Sequence, residues 1–67
     1  MNFEMKILKL RTDYSYYTPK LGRHIHRYEL TWGSTEMECM DRFDVLVKRK
    51  YPYIECYTVD NMEFTPC

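Results

Sequence analysis

At 67 residues the chain is one domain, near the lower size at which a core holds a fold alone, because so small a domain buries only about 60% of its unfolded surface. Ten basic and ten acidic residues leave zero formal net charge, which argues against both the field of a nucleic-acid clamp and the acidity of a DNA mimic. Any electrostatic function is therefore local. Cys39, Cys56 and Cys67 form an odd set without CxxC spacing, which speaks against a disulfide framework and a tetrahedral zinc site and for a reducing compartment.

The opening MNFEMKILKL has neither a secretory apolar region with a small-residue cleavage site nor a spanning run of about 20 apolar residues. It reads as a cytosolic start, with a cytoplasmic location and no membrane partner. The flanks Phe3–Tyr17 and Arg23–Trp32 alternate in polarity around Thr18-Pro19-Lys20-Leu21-Gly22, where proline presets a turn and glycine accepts positive φ. This predicts a β-hairpin over 3–32. Opposing Arg11 to Glu29 and Asp13 to Arg27 pairs unlike charges on one face. The same register gathers Leu8 with Trp32, Leu10 with Leu30, Thr12 with Tyr28 and Tyr14 with His26 on the other. The opposite phase of Phe3, Met5 and Ile7 calls for a bulge near Ile7.

Thr35 with Glu38 has the spacing of a capping box, in which hydroxyl and carboxylate exchange bonds with each other's backbone N–H. A helix over 35–50 follows. Cys39, Met40, Phe43, Leu46 and Val47 fall within an arc of about 120°, the stripe of a helix lying on a sheet. Glu38–Arg42 and Asp44–Lys48 support it as i,i+4 pairs, Lys48, Arg49 and Lys50 suit its C-terminal dipole, and Tyr51 before Pro52 stops it. Tyr53–Asp60 alternates as a third strand containing Cys56, and 61–67 is left as a loose tail with Phe64 tucked in. Docking the third strand antiparallel beside the first, with a right-handed crossover, gives the order 2-1-3. The expected fold is α+β: a three-stranded antiparallel or mixed sheet with one helix on one face. One helix leaves the other face or an edge open, and Tyr17, Ile25, Tyr53, Tyr57 and Val59 are the candidates for that surface.

Little in the sequence suggests catalysis. Ser15 and Ser34 lack a nucleophile's context, and the acids form no recognisable dyad, so no enzyme and no cofactor is expected. His24 and His26 share one side of a strand about 6.5–7 Å apart, but two imidazoles are not a metal site, and their use as a pH-sensitive element has no further support. Between Tyr14 and Tyr28 there is no acid, while Lys20, Arg23, His24, His26 and Arg27 interleave with Tyr14, Tyr16, Tyr17 and Tyr28. Aromatics that stack on bases beside cations that hold phosphates suit RNA or single-stranded DNA. The fixed charges are few, so such a complex would make few phosphate contacts. Exposed Met37 and Val45 lie off the helix stripe and would extend a protein-binding face.

The order of hairpin, capped helix, Tyr-Pro stop and final strand, from Met5 to Phe64, resembles a group of very small bacteriophage proteins that disable host machinery by binding it. Examples are the short podovirus inhibitor of bacterial RNA polymerase and several anti-CRISPR proteins. The resemblance implies a stoichiometric inhibitor or adaptor in the host cytoplasm, taking a host protein or protein complex as partner and existing as a monomer or homodimer. Its expected contact surface is the hairpin and open sheet face, with Tyr14, Tyr16, Tyr17, Lys20, Arg23, His24, His26, Tyr53 and Tyr57 as partner-binding residues. The alternative is a small nucleic-acid binder that uses the tyrosine-, histidine- and arginine-rich hairpin.

Overall fold

A computed structural model describes residues 7–67; the part of the expected hairpin at 3–6 lies outside them. Two strands, β1 (Leu8–Thr18) and β2 (Arg23–Gly33), are followed by helix α1 (Glu36–Lys50) and strand β3 (Thr58–Pro66). The sheet is antiparallel throughout, in the order β2-β1-β3, with the helix on one face. Fold class and strand order match the sequence reading.

The Pro19–Gly22 turn closes with the Leu21 and Gly22 amides donating to the Thr18 carbonyl at 3.2 and 2.8 Å. Gly22 takes φ +66°, the left-handed region that glycine occupies without steric cost. The hairpin register differs from the expected one by one residue: Leu10 lies opposite Thr31, Arg11 opposite Leu30, Thr12 opposite Glu29 and Tyr14 opposite Arg27. Because side chains alternate, that single step inverts the faces of β2. Its odd residues, Glu29 and Thr31 among them, face the helix, while Tyr28, Leu30 and Trp32 turn away from it. The expected Arg11–Glu29 and Asp13–Arg27 pairs do not form. Arg11 instead pairs with Asp13 on its own strand at 3.2 Å and stacks 4.3 Å above the Tyr28 ring.

The third strand begins five residues later than expected and runs through the segment read as a loose tail. The alternation of Tyr53–Asp60 does not produce a strand over its length, because Tyr51, Ile54 and Tyr57 are used to cover the core. Cys56 is exposed in the connection, not buried in a strand. Pairing of β1 with β3 places Phe64 beside Leu10 and Met62 beside Thr12, and shifts register between Asp13 and Tyr14. The irregularity therefore lies at Asp60 on β3; the bulge expected from the phase of Phe3, Met5 and Ile7 falls at the edge of the described residues, with Phe3 and Met5 outside them.

Thr35 caps α1 by accepting the Glu38 amide at 3.1 Å. The Glu38 carboxylate completes the cap one residue earlier than a capping box predicts, accepting the Ser34 hydroxyl at 2.8 Å, which holds it below the usual carboxylate range. The two pairs along the helix form as expected, Arg42–Glu38 at 2.6 Å and Lys48–Asp44 at 2.7 Å. Cys39, Phe43 and Val47 are buried, Leu46 is half-buried, and Met40 is exposed, so the true stripe is narrower than the expected one. A Cβ on Gly33 would stand 3.1 Å from the Cys39 amide nitrogen, so the chain enters the helix through a gap that only glycine fits without movement.

The core is aromatic. Tyr14 meets Phe43 and Tyr57 edge to face at 5.2 and 5.9 Å, and stacks on Tyr16 at 6.4 Å. Beside it Thr12 is buried with an Oγ1 that has no hydrogen-bond partner among the described residues. A buried hydroxyl left unpaired costs about 1–3 kcal/mol. Thr12→Val, which replaces it with a methyl group of the same shape, is expected to raise unfolding free energy by roughly 1 kcal/mol. Urea unfolding tests this, and a loss of stability would show that the hydroxyl has a use in the folded state.

Candidate functional site

The helix covers one face of the sheet and leaves the other bare. On the bare face β2 presents Tyr28, Leu30 and Trp32 at successive outward positions, 55, 38 and 46% exposed. Beside them β1 contributes Lys9, Arg11 and Asp13, and β3 contributes Asn61, Glu63 and Thr65. Lys9, Arg11, Tyr28, Leu30, Glu63 and Thr65 line one shallow depression there, about 320 Å³ in volume. An apolar ridge thus runs along β2 beside a band of mixed charge on β1 and β3.

Of the residues expected to contact a partner, Tyr14 and Tyr16 are 0 and 4% exposed and belong to the core. Neither reaches a partner in this fold. Their hydroxyls are committed inward: Tyr14 donates to Glu29 Oε2 at 2.7 Å, and Arg27 Nε donates to Tyr16 at 3.0 Å. Tyr57 is half-buried and donates to Asp44 Oδ1 at 2.7 Å; burial, then that carboxylate, pushes its phenol up to about 12. Tyr17, Lys20, Arg23, His24, His26 and Tyr53 are exposed. Ile25, proposed for the open surface, packs instead against the core.

Tyr17 and Tyr53 are brought together at the hairpin tip, where they line a cleft of about 310 Å³ with Thr18, Pro19, Ile54, Glu55 and Cys56, and with an edge of Tyr16. The Tyr17 ring meets His24 edge to face at 5.4 Å. His24 and His26 share the open face, as their spacing requires, yet they do not act as a pair: His26 Nδ1 lies 3.7 Å from Asp60 Oδ2. The Asp60 carboxylate, thrown out by the irregularity in β3, also accepts the Ser15 hydroxyl at 3.3 Å. Serine, histidine and aspartate meet here with the carboxylate between the other two, so the imidazole is not the group placed to take the serine proton. Among the described residues no group of three or more His, Cys, Asp or Glu side chains is arranged to hold a metal.

The sequence reading missed Leu30 and Trp32 as surface, and took Tyr28 as a contact only in the nucleic-acid alternative, since apolar residues in a strand are ordinarily given to the core. A signal was present in the small residues Thr31 and Gly33. They alternate with the apolar set and are the ones that permit close approach of a helix; the Thr31 hydroxyl in fact donates to the Cys39 carbonyl at 2.9 Å. No helix among the described residues is long and apolar enough to cross a membrane. The chain matches no protein-family model, no curated protein and no solved structure.

Proposed function

We propose that the protein is a small non-catalytic binding module that takes a protein partner on its open sheet face and so inhibits or modulates that partner, as the likeness to phage host-takeover inhibitors implies. The observation that carries this reading is the row of Tyr28, Leu30 and Trp32, exposed together on a face that the protein's own helix leaves bare. Tyrosine and tryptophan are the residues that most often anchor protein interfaces, and a charged rim around an apolar centre is the usual interface anatomy. The mixed rim of Lys9, Arg11, Asp13, Asp60 and Glu63 favours a protein over a polyanion. Arg11, which a phosphate would need, is already held by Asp13 and Tyr28.

Recovery of partners from a bacterial lysate by the wild type, a Tyr28→Ala/Trp32→Ala variant and a Val45→Ala variant on the helix side tests the reading. A specific partner kept by the wild type and the Val45 variant, and bound at least about tenfold more weakly by the double variant, is the expected result. Equal recovery by all three would remove this face as the site. A salt-sensitive complex with RNA or single-stranded DNA that depends on Tyr28 would replace the reading with the nucleic-acid one.

A further inference from the structure

We infer that the outer edge of β2 is a self-complementary pairing surface, and that two copies of the chain join there, β2 against β2, into one six-stranded antiparallel sheet.

The direction of the backbone groups comes first. The Cys67 amide donates to the Ile7 carbonyl at 2.8 Å, which directs the odd residues of β1 toward β3 and its even residues toward β2. The odd residues of β2 answer those even ones through the paired register. In an antiparallel ladder the N–H and C=O of one residue point the same way, so His24, His26, Tyr28, Leu30 and Trp32 direct theirs out from the free edge. The Trp32 carbonyl agrees, accepting Arg42 Nη1 at 2.6 Å from the helix. The Arg23–Gly33 strand is eleven residues long, holds no proline and keeps a single register against β1 throughout. By contrast the β3 edge carries the register shift and ends in Pro66. Apart from the Trp32 carbonyl, which Arg42 covers, the β2 edge is long and regular, and such edges are templates for further pairing.

The register then follows from charge. The midpoint of Arg23–Gly33 is Tyr28, and a two-fold axis through it pairs the strand with its copy over its entire length. Arg27 of each copy then lies opposite Glu29 of the other, twice. Arg27 gives Nε to Tyr16 and lies over the Tyr51 ring, and Glu29 already holds Tyr14 and Lys50, so what favours this register is opposite charge facing across the ladder and not a new hydrogen bond. On the outer face Tyr28 meets its own copy and Leu30 meets His26. A shift of two residues one way opposes Arg27 to Arg27, and the other way Glu29 to Glu29. Larger shifts leave much of the strand unpaired. A shift of one residue would set inward-directed backbone groups against outward-directed ones. The full-length register is the one that meets all these conditions, and opposite charges facing across a ladder favour it while like charges oppose the others. It also joins the Tyr28–Trp32 ridges of both copies across the axis, while the open face stays free for a separate partner.

Sedimentation equilibrium of the full chain from micromolar to about 1 mM tests the association. A reversible dimer is expected. His26→Pro removes an outward N–H at a site where an edge strand tolerates proline, and its dissociation constant should rise at least about tenfold with the far-UV circular dichroism unchanged. Register is read separately in a Cys56→Ser/Cys67→Ser background with a short bismaleimide cross-linker. Tyr28→Cys places two thiols at the axis, with Cα atoms about 5.5 Å apart, and should cross-link. His24→Cys places them eight residues apart along the ladder, roughly 27 Å at ~3.4 Å per residue, and should not. A wild type that stays monomeric at the highest concentration overturns the inference, as does a folded His26→Pro variant that dimerises normally. Equal cross-linking at positions 24 and 28 does so too, and decides the matter if the proline variant fails to fold.

Discussion

Phe43→Ala lowers unfolding free energy by about 3–5 kcal/mol, the usual cost of removing a buried ring and leaving a cavity. In a domain whose total stability is on the order of 5–15 kcal/mol, and which by its size belongs at the low end of that range, this is most of what holds it folded. Phe43 is 4% exposed and is the helix residue that meets both Tyr14 and Tyr57 edge to face, at 5.2 and 5.4 Å. Its loss takes contacts from the helix, from β1 and from the covering segment before β3 together. Thermal unfolding followed by circular dichroism is the measurement, with Val45→Ala on the exposed helix face as the comparison. A Phe43→Ala protein within about 1 kcal/mol of the wild type would show that the helix is not fastened where the packing places it.

Tyr14→Phe lowers stability at neutral pH by about 1.5–3 kcal/mol, the range for a hydrogen bond to a charged group, and flattens the loss of stability at alkaline pH. Glu29 is 8% exposed and holds two donors, the Tyr14 hydroxyl on Oε2 and Lys50 Nζ on Oε1 at 2.9 Å. Deleting the phenol oxygen leaves half of a buried carboxylate without its donor. Burial, then Glu29, raises the Tyr14 phenol far above its ordinary value, and the Glu29 hydrogen bond raises the Lys50 ammonium. Both groups therefore bind protons more tightly in the folded state. Their contribution is complete below the unfolded values near pH 10 and is lost as pH rises beyond them. Tyr57, pushed up to about 12, adds a loss over the interval from about 10 to 12. Urea unfolding at pH 7, 10 and 11.5 should show a steep alkaline decline in the wild type and a shallower one in Tyr14→Phe. An unchanged alkaline slope in the variant would contradict the assignment.

What could be read from the sequence was local. The turn at Pro19–Gly22, the Thr35 cap, the i,i+4 pairs and the stop at Tyr51–Pro52 each depend on residues a few positions apart, and all form. The strand order followed from the handedness of the connection. The register did not, because unlike charges on β1 and β2 were expected to meet each other, whereas Arg27 and Glu29 are satisfied by tyrosine hydroxyls and Lys50 on the helix side. That one-residue difference carried Tyr28, Leu30 and Trp32 from the expected apolar face to the surface, while Tyr14 and Tyr16 keep the face of Leu10 and are buried there, in a core that is aromatic and hydroxyl-bonded. The third strand was misplaced for a related reason. Tyr51, Ile54 and Tyr57 recur every third residue in a segment laid over the core, and a period of two does not describe that spacing.

The central position of β1 has a consequence for how the chain is made. Its pairing with β2 joins residues close in sequence, but its pairing with β3 joins positions such as Leu10 and Phe64, separated by most of the chain. As the polypeptide leaves the ribosome, hairpin and helix can assemble first, and one whole side of β1 then waits with unpaired amides until Thr58–Pro66 has been synthesised. During that interval the nascent chain presents the regular edge of β1 where the finished sheet presents β3, an edge broken by a register shift and ending in Pro66. The last nine-residue strand thus exchanges a long unbroken edge for an interrupted one, which is a poorer template for pairing with another chain.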